Sequence, residues 1–216
     1  MRVTVFHFNL FDENCYVLHD GEGSDALIID PGMMSEGERE ELRDFVAGQR
    51  LTVKGVLLTH CHVDHVAGVA WTAAEYGVPV MCSADDMYLA EQLKEQVRRF
   101  HLNIEAKPIT VNRFLADGET LTLGDETIEV IATPGHSRGS VSFYVPQSAL
   151  VVTGDTLFAG SLGRTDLEGG DLHTIIRSIN DRLLTLPEET LVAPGHGPTT
   201  TIGHERRFNP AAGYKV

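Results

Sequence analysis

The chain has 216 residues, 42% of them apolar, and a formal net charge of −14. That composition supports a buried core and sets aside wholesale disorder. With no run of basic residues, it disfavours nucleic acid and anionic membranes as partners. No stretch approaches the roughly 18–20 apolar residues of a membrane span. The N-terminal MRVTVFHFNLF alternates like a strand and is not expected to be a signal peptide. Cys15, Cys61 and Cys82 are scattered, with no CxxC, which leads us to expect a reduced, cytoplasmic setting.

In chain order, Val3, Val5 and Phe8 predict a first strand, and CYVLHD and DALIID two more, separated by the turn GEGS. A helix is predicted from about Ser35 to Gly48, where Ser35 and Glu38 have capping-box spacing and Leu42, Phe45 and Val46 form an apolar stripe. TVKGVLLT is a nearly continuous apolar strand, the kind buried on both faces. Helical stretches are predicted over 66–76, ending at Gly77, and over 84–100, with the strand VPVMC between them. The second half offers two hairpins, ETLTLG with TIEVIAT and SVSFYV with ALVVTG. A helix through Leu172, Ile175, Ile176, Ile179 and Leu183 follows, then the strand TLVAP. No repeat, low-complexity tract or linker interrupts the sequence. A single α/β domain spanning residues 1–216, with two sheets between helices, accommodates the order.

The chemistry concentrates where strands end. In LLTHCHVDHVAG, a buried strand feeds out at Thr59 into His60, His62, Asp64 and His65. In extended backbone His60 and His62 point to one side, while Cys61 and Val63 point into packing. His136 lies just past a second strand in TIEVIATPGHS, Asp155 past a third in ALVVTGD, and His196 past a fourth in TLVAPGHG. Seven nitrogen and oxygen donors at four strand ends are too many for one tetrahedral zinc. They suit two metals that share a carboxylate.

At these motifs the sequence resembles the metallo-β-lactamase superfamily, THCHVDH matching its THxHxDH. The likeness runs from IIDPG through TPGHS, TGDTLFAGSLGRTD and APGHGP to ERRFNP. It is nearest to the short, single-domain glyoxalase II-like hydrolases. The resemblance implies an αββα sandwich of two mixed β-sheets flanked by helices. It assigns His60, His62 and His136 to one metal, Asp64, His65 and His196 to a second, and Asp155 to the bridge. Asp64 and Asp155 are thereby the carboxylates expected to serve catalysis. The cofactors would be two divalent ions: zinc, with iron or manganese as alternatives. The implied reaction is hydrolysis of a small thioester such as S-lactoylglutathione, by attack of a metal-bridging hydroxide on the acyl carbon.

Asp30 in IIDPG is either a partner for a ligand histidine or a turn cap. Arg164 in GSLGRTD is either a contact for a substrate carboxylate or a surface arginine. His7, His19, His101, His173 and His204 match no ligand motif, His173 is expected on a solvated face, and Cys61 reads as a small buried residue. GHERRFNP reads as a packed turn. Longer glyoxalase II enzymes carry an acidic residue and a tyrosine where GHGPTT stands, and a C-terminal helical domain that this chain is expected to lack. Glutathione specificity is therefore open. The β-lactamases of the superfamily have cysteine at the place of Asp155, and its oxygen-reducing di-iron members have glutamate at that of His62. The persulfide dioxygenases share the histidine motif and the GRTD loop, so a mononuclear iron dioxygenase is the alternative function. A non-catalytic metal-binding module is a third reading, disfavoured because every ligand position is filled.

Overall fold

Strand β1 (Arg2–Phe8) buries only Phe6 and Phe8, because it lies at a sheet edge with Val3 and Val5 turned to solvent. It pairs antiparallel with β2 (Glu13–His19), buried along its whole length, and β2 pairs antiparallel with β3 (Asp25–Ile29). Helix α1 (Glu36–Gly48) then carries the chain over to β4 (Thr52–Leu57), parallel to β3. A step to the neighbouring strand such as β3 to β4 needs a long crossover to run parallel, which α1 supplies. The Ser35 hydroxyl accepts from the Glu38 amide and the Glu38 carboxylate accepts from the Ser35 amide, the predicted capping box. β4 alternates at first, with Thr52 and Lys54 exposed, and is fully buried only from Gly55. This computed structural model describes residues 1–214.

After β4 come two short helices, α2 (Val63–Val66) and α3 (Val69–Tyr76); α3 covers most of the helix predicted over 66–76, which is interrupted at 67–68. The break has a steric cause. The Gly68 amide donates to the Pro31 carbonyl at 2.9 Å, and a side chain at Gly68 would collide with that oxygen. Strand β5 (Val80–Ser83) lies parallel to β4. The helix predicted over 84–100 is likewise divided, into a 3₁₀ turn (Ala84–Asp86), α4 (Met87–Glu91) and α5 (Leu93–Arg99), with Leu89, Leu93 and Val97 buried as the spacing required. β6 (Arg113–Leu115) completes a six-stranded mixed sheet in the order β1-β2-β3-β4-β5-β6.

The second sheet runs β14-β13-β10-β9-β8-β7, from β7 (Thr120–Leu123), β8 (Glu126–Ala132), β9 (Val141–Val145), β10 (Leu150–Gly154), β13 (Leu191–Pro194) and β14 (Thr200–Thr201). A small hairpin, β11 (Leu157–Phe158) with β12 (Ser161–Leu162), follows β10. α6 (Leu172–Arg177) continues as a π-helix (Ser178–Leu183), and α7 (Ile202–Phe208) comes last. Of the predicted stripe, Ile175, Ile176, Ile179 and Leu183 are buried, but Leu172 is 51% exposed. Leu172 shares the spacing of the other four but is the first residue of α6, where the stripe ends in solvent.

The chain falls into two compact units, residues 1–114 with 123–125, and residues 115–122 with the chain from 126 onward. The first packs clusters around Val56, Leu58, Leu89 and Leu93 and around Phe8, Val17, Ile28 and Leu42; the second packs one around Val151, Ile175, Ile179 and Val192. The anticipated class, α/β with two mixed sheets and flanking helices, is the one observed. No helix among the described residues is long and apolar enough to cross a membrane.

Candidate metal centre

Most of the donors leave the carboxyl ends of neighbouring parallel strands, while His136 follows β8, which pairs antiparallel with β9. β3 delivers Asp30 and its neighbour β4 delivers His60, His62, Asp64 and His65. β10 delivers Asp155 and its neighbour β13 delivers His196. Open α/β sheets characteristically place ligands at such ends, where the next strand turn leaves a crevice.

In the first unit, the His60 ring centroid lies 4.9 Å from that of His62 and 4.2 Å from that of His65. His65 Nε2 is 3.8 Å from Asp64 Oδ2. Asp30, His60 and His65 each bring a donor atom within 4.8 Å of the others. Asp30 resolves into a positioning residue. Its Oδ1 accepts the Thr59 amide at 2.7 Å, and its Oδ2 accepts the Thr59 hydroxyl and the His65 Nδ1–H at 3.1 Å. Because the Thr59 hydroxyl spends its proton on Asp30, its oxygen accepts His60 Nδ1–H at 3.1 Å. Both imidazoles are thus held in the tautomer that turns an Nε2 lone pair outward, the form a metal requires. Asp30 does this from a left-handed backbone, φ 51°, uncommon for a residue other than glycine.

In the second unit, a bulge at Thr153 and the left-handed Gly154 (φ 49°) re-aim Asp155 at the end of β10. The Gly195 amide donates to the Gly154 carbonyl at 2.8 Å and so draws His196 alongside. The outcome is one carboxylate oxygen facing two imidazoles: Asp155 Oδ2 is 3.5 Å from His136 Nε2 and 3.6 Å from His196 Nε2. Both are too long for hydrogen bonds. Two donors on one tetrahedral cation, with bonds of about 2.1 Å, sit about 3.4 Å apart. The spacing matches that of two ligands on one ion, so the residues fit the group that the sequence implied. His136 Nδ1–H donates to the Arg164 carbonyl at 2.7 Å, again freeing Nε2. Gly163 permits this approach, since a Cβ there would collide with the Asp155 carbonyl.

Arg164 lends the centre its carbonyl, while its guanidinium forms a two-bond fork with Asp166, 2.7 Å on each arm. The donors His60, His62, His65 and His136 are buried, whereas Asp64, Asp155 and His196 keep side-chain exposures of 18%, 11% and 24%.

Cys61 is buried, and its thiol is pushed up by a hydrogen bond with Cys82 and by burial. It stays a neutral packing residue, as its place between His60 and His62 suggested. His173 is exposed.

Three supports escaped the sequence reading. Asn9 Nδ2 donates to the Gly32 and Asp64 carbonyls, 2.9 Å each. Asp86 Oδ2 accepts the Cys61 amide at 2.7 Å. Gln96 accepts the Val63 amide at 2.9 Å and donates to the Cys61 carbonyl at 3.1 Å. Together they pin the backbone of the ligand loop. Gln96 carried a usable signal: it is a polar residue on the apolar stripe of Leu89, Leu93 and Val97. In the second unit, the buried Glu205 accepts the Gly160 amide at 2.9 Å and the Thr200 hydroxyl at 2.7 Å. Asn209 donates to the Ser161 carbonyl at 2.9 Å. Instead of the expected packed turn, GHERRF forms most of α7, and the buried Glu205 on that helix anchors the hairpin that follows Asp155.

Residues 9–196 match the metallo-beta-lactamase superfamily. The chain is 39% identical to hydroxyacylglutathione hydrolase GloC of Haemophilus influenzae over 212 residues, covering 97% of each protein. Among solved structures, it is similar to the BLEG-1 B3 metallo-beta-lactamase, with 36% identity, TM-score 0.86 and coverage of 99% of this chain and 100% of that one. It is also similar to the di-iron-bound form of TTHA1623, with 40% identity, TM-score 0.83 and coverage of 96% and 98%. With the histidine motif, the further donors at strand ends and these likenesses together, the chain belongs to the metallo-β-lactamase superfamily.

Proposed function

We propose that the chain is a metal-dependent hydrolase of small thioesters such as S-lactoylglutathione, working as one domain over residues 1–216 in the cytoplasm. The observation that carries this reading is the Asp155 carboxylate oxygen set between His136 and His196 at ion-sharing distances. His60, His62 and His136 would hold one ion, Asp64, His65 and His196 a second, and Asp155 would serve both. Zinc is the ion of choice, with iron or manganese as alternatives, and the di-iron form of a protein 40% identical supports that range. When bound, such ions supply a hydroxide nucleophile at neutral pH and polarise the acyl carbonyl.

The protein's own part is preparation. Asp30, Thr59 and the Arg164 carbonyl fix ring tautomers before any ion arrives. Asn9, Asp86 and Gln96 hold the ligand loop, so little reorganisation remains for the loaded state. A thiolate leaves without a strong acid, which suits a centre built from imidazoles and carboxylates. The GloC relative supports a thioester of glutathione as the substrate class. Arg164 would take up the substrate's carboxylate.

The test is metal content per chain measured alongside turnover. We expect two equivalents of metal and hydrolysis of S-lactoylglutathione, both lost in Asp155→Ala. One equivalent of iron with oxygen uptake on a persulfide would instead establish the dioxygenase. A β-lactam belongs in the same panel because one similar structure is called a β-lactamase; its preferential hydrolysis would displace the thioester reading.

A further inference from the structure

Between α5 and β6 the chain runs as an extended strap. Among the described residues, nothing from Asn103 to Val111 makes a backbone hydrogen bond; the strap is tied only at its ends, by the Leu102 amide to the Val97 carbonyl (3.0 Å) and the Asn112 amide to the Val80 carbonyl (2.9 Å). Its apolar side chains, Leu102, Ile104, Ala106, Ile109 and Val111, are only partly buried against the core. Three cavities, of about 380, 250 and 300 Å³, flank this one segment. A segment without a hydrogen-bonded ladder opens at little cost, so it can admit a ligand beneath it.

The largest cavity, about 380 Å³, lies between α4, α5 and the strap and falls in the size range of small-molecule sites, roughly 300–1,000 Å³. Met87, Ala90, Leu93 and Ile109 give it aliphatic walls, and no aromatic ring lines it. It suits a flexible alkyl chain better than a planar ligand, which would have nothing to stack on. Its charged rim is Lys94, Lys107 and Glu91, one net positive charge on a chain of net charge −14. Neither lysine forms an ion pair among the described residues, whereas Lys54 pairs with Asp25 at 3.2 Å. Two cations that the many carboxylates of this chain leave unengaged meet at the mouth of one apolar cavity.

We propose that this cavity binds a free amphipathic carboxylate, an unbranched fatty-acid anion of medium length, with its alkyl chain against α4 and α5 and its carboxylate on Lys94 and Lys107. Nothing in this depends on what the metal centre hydrolyses.

Calorimetric titration of the full chain with dodecanoate, below its micelle concentration, tests it. We expect one saturable site. Removing two methylenes, as in decanoate, weakens binding about sixteenfold, since each buried methylene is worth about fourfold. The double variant Lys94→Gln/Lys107→Gln, both changes on exposed side chains, weakens dodecanoate about tenfold and leaves dodecanol unchanged. Ala106→Trp, which fills the cavity from the strap, abolishes binding. Hydrogen exchange at residues 103–111 slows on adding dodecanoate. Absence of saturable binding overturns the proposal, as does dodecanol binding as tightly as dodecanoate, or no exchange protection of the strap. Binding to phosphatidylglycerol vesicles without binding of free dodecanoate overturns it too, in favour of a membrane surface.

Discussion

Arg164 touches the candidate centre through its backbone, and that separates two roles that one residue can carry. The carbonyl that receives His136 Nδ1–H survives any substitution, so Arg164→Ala should leave metal content intact. The guanidinium is engaged with Asp166, an exposed pair worth about 0–1 kcal/mol, so a substrate carboxylate can replace it at small cost. A charge-assisted fork to substrate is worth about 1.5–3 kcal/mol. We therefore predict that Arg164→Ala raises KM about tenfold or somewhat more for a thioester bearing a carboxylate and leaves a neutral thioester unaffected. If both respond equally, the side chain organises the loop; if neither does, it is a surface arginine. At this scale the sequence was most informative about the donors. Their residue types and strand-end positions singled out seven candidates, because few other jobs gather histidine and aspartate there. The braces Asn9, Asp86 and Gln96 were not legible, because each acts through a backbone amide or carbonyl that any residue could supply. Asp30 stood between: its position marked it, but only the Thr59 and His65 contacts chose between partner and cap.

Glu38 shows how an element's end reaches beyond the element. Its carboxylate closes the capping box of α1 and also accepts amides from Met34 (2.8 Å) and Asn9. Burial alone would raise its pKa, but the amide donors of Asn9, Ser35 and Met34 outweigh it and hold the carboxyl below its ordinary value. A carboxyl depressed in the folded state stabilises the fold above the unfolded pKa, and that contribution fades as pH falls through the lower folded value. Glu38→Ala should therefore lower stability by about 1–2 kcal/mol at neutral pH. The difference from the parent should shrink on acidification below about pH 4.3, as urea unfolding at several pH values would show. A pH-independent difference would mean that packing, not charge, is what was lost. The capping box was visible in sequence because its two residues are three apart. The breaks at Gly68 and Gln92 were not, since apolar periodicity continues across both. The cause at Gly68 is a carbonyl from Pro31, far away in sequence.

At the scale of the whole molecule, the α/β class with two sheets was readable because hydrophobic runs and turns mark the strands and a long helix separates β3 from β4. The two-residue strands β11, β12 and β14 and the last helix were not, being too short to carry a period. That last helix has a consequence for the order in which the protein is made. The hairpin after Asp155 is anchored by Glu205, which is 45 residues downstream of Gly160. At about 5–20 residues per second, a ribosome needs several seconds to travel that far. Through that interval the nascent chain carries the hairpin after Asp155 without this anchor. Arrested nascent chains would reveal it: a protease should cut near Phe158–Ser161 before Glu205 leaves the ribosome and fail to do so afterwards, whereas equal protection at both stages would mean that the loop orders itself without its anchor.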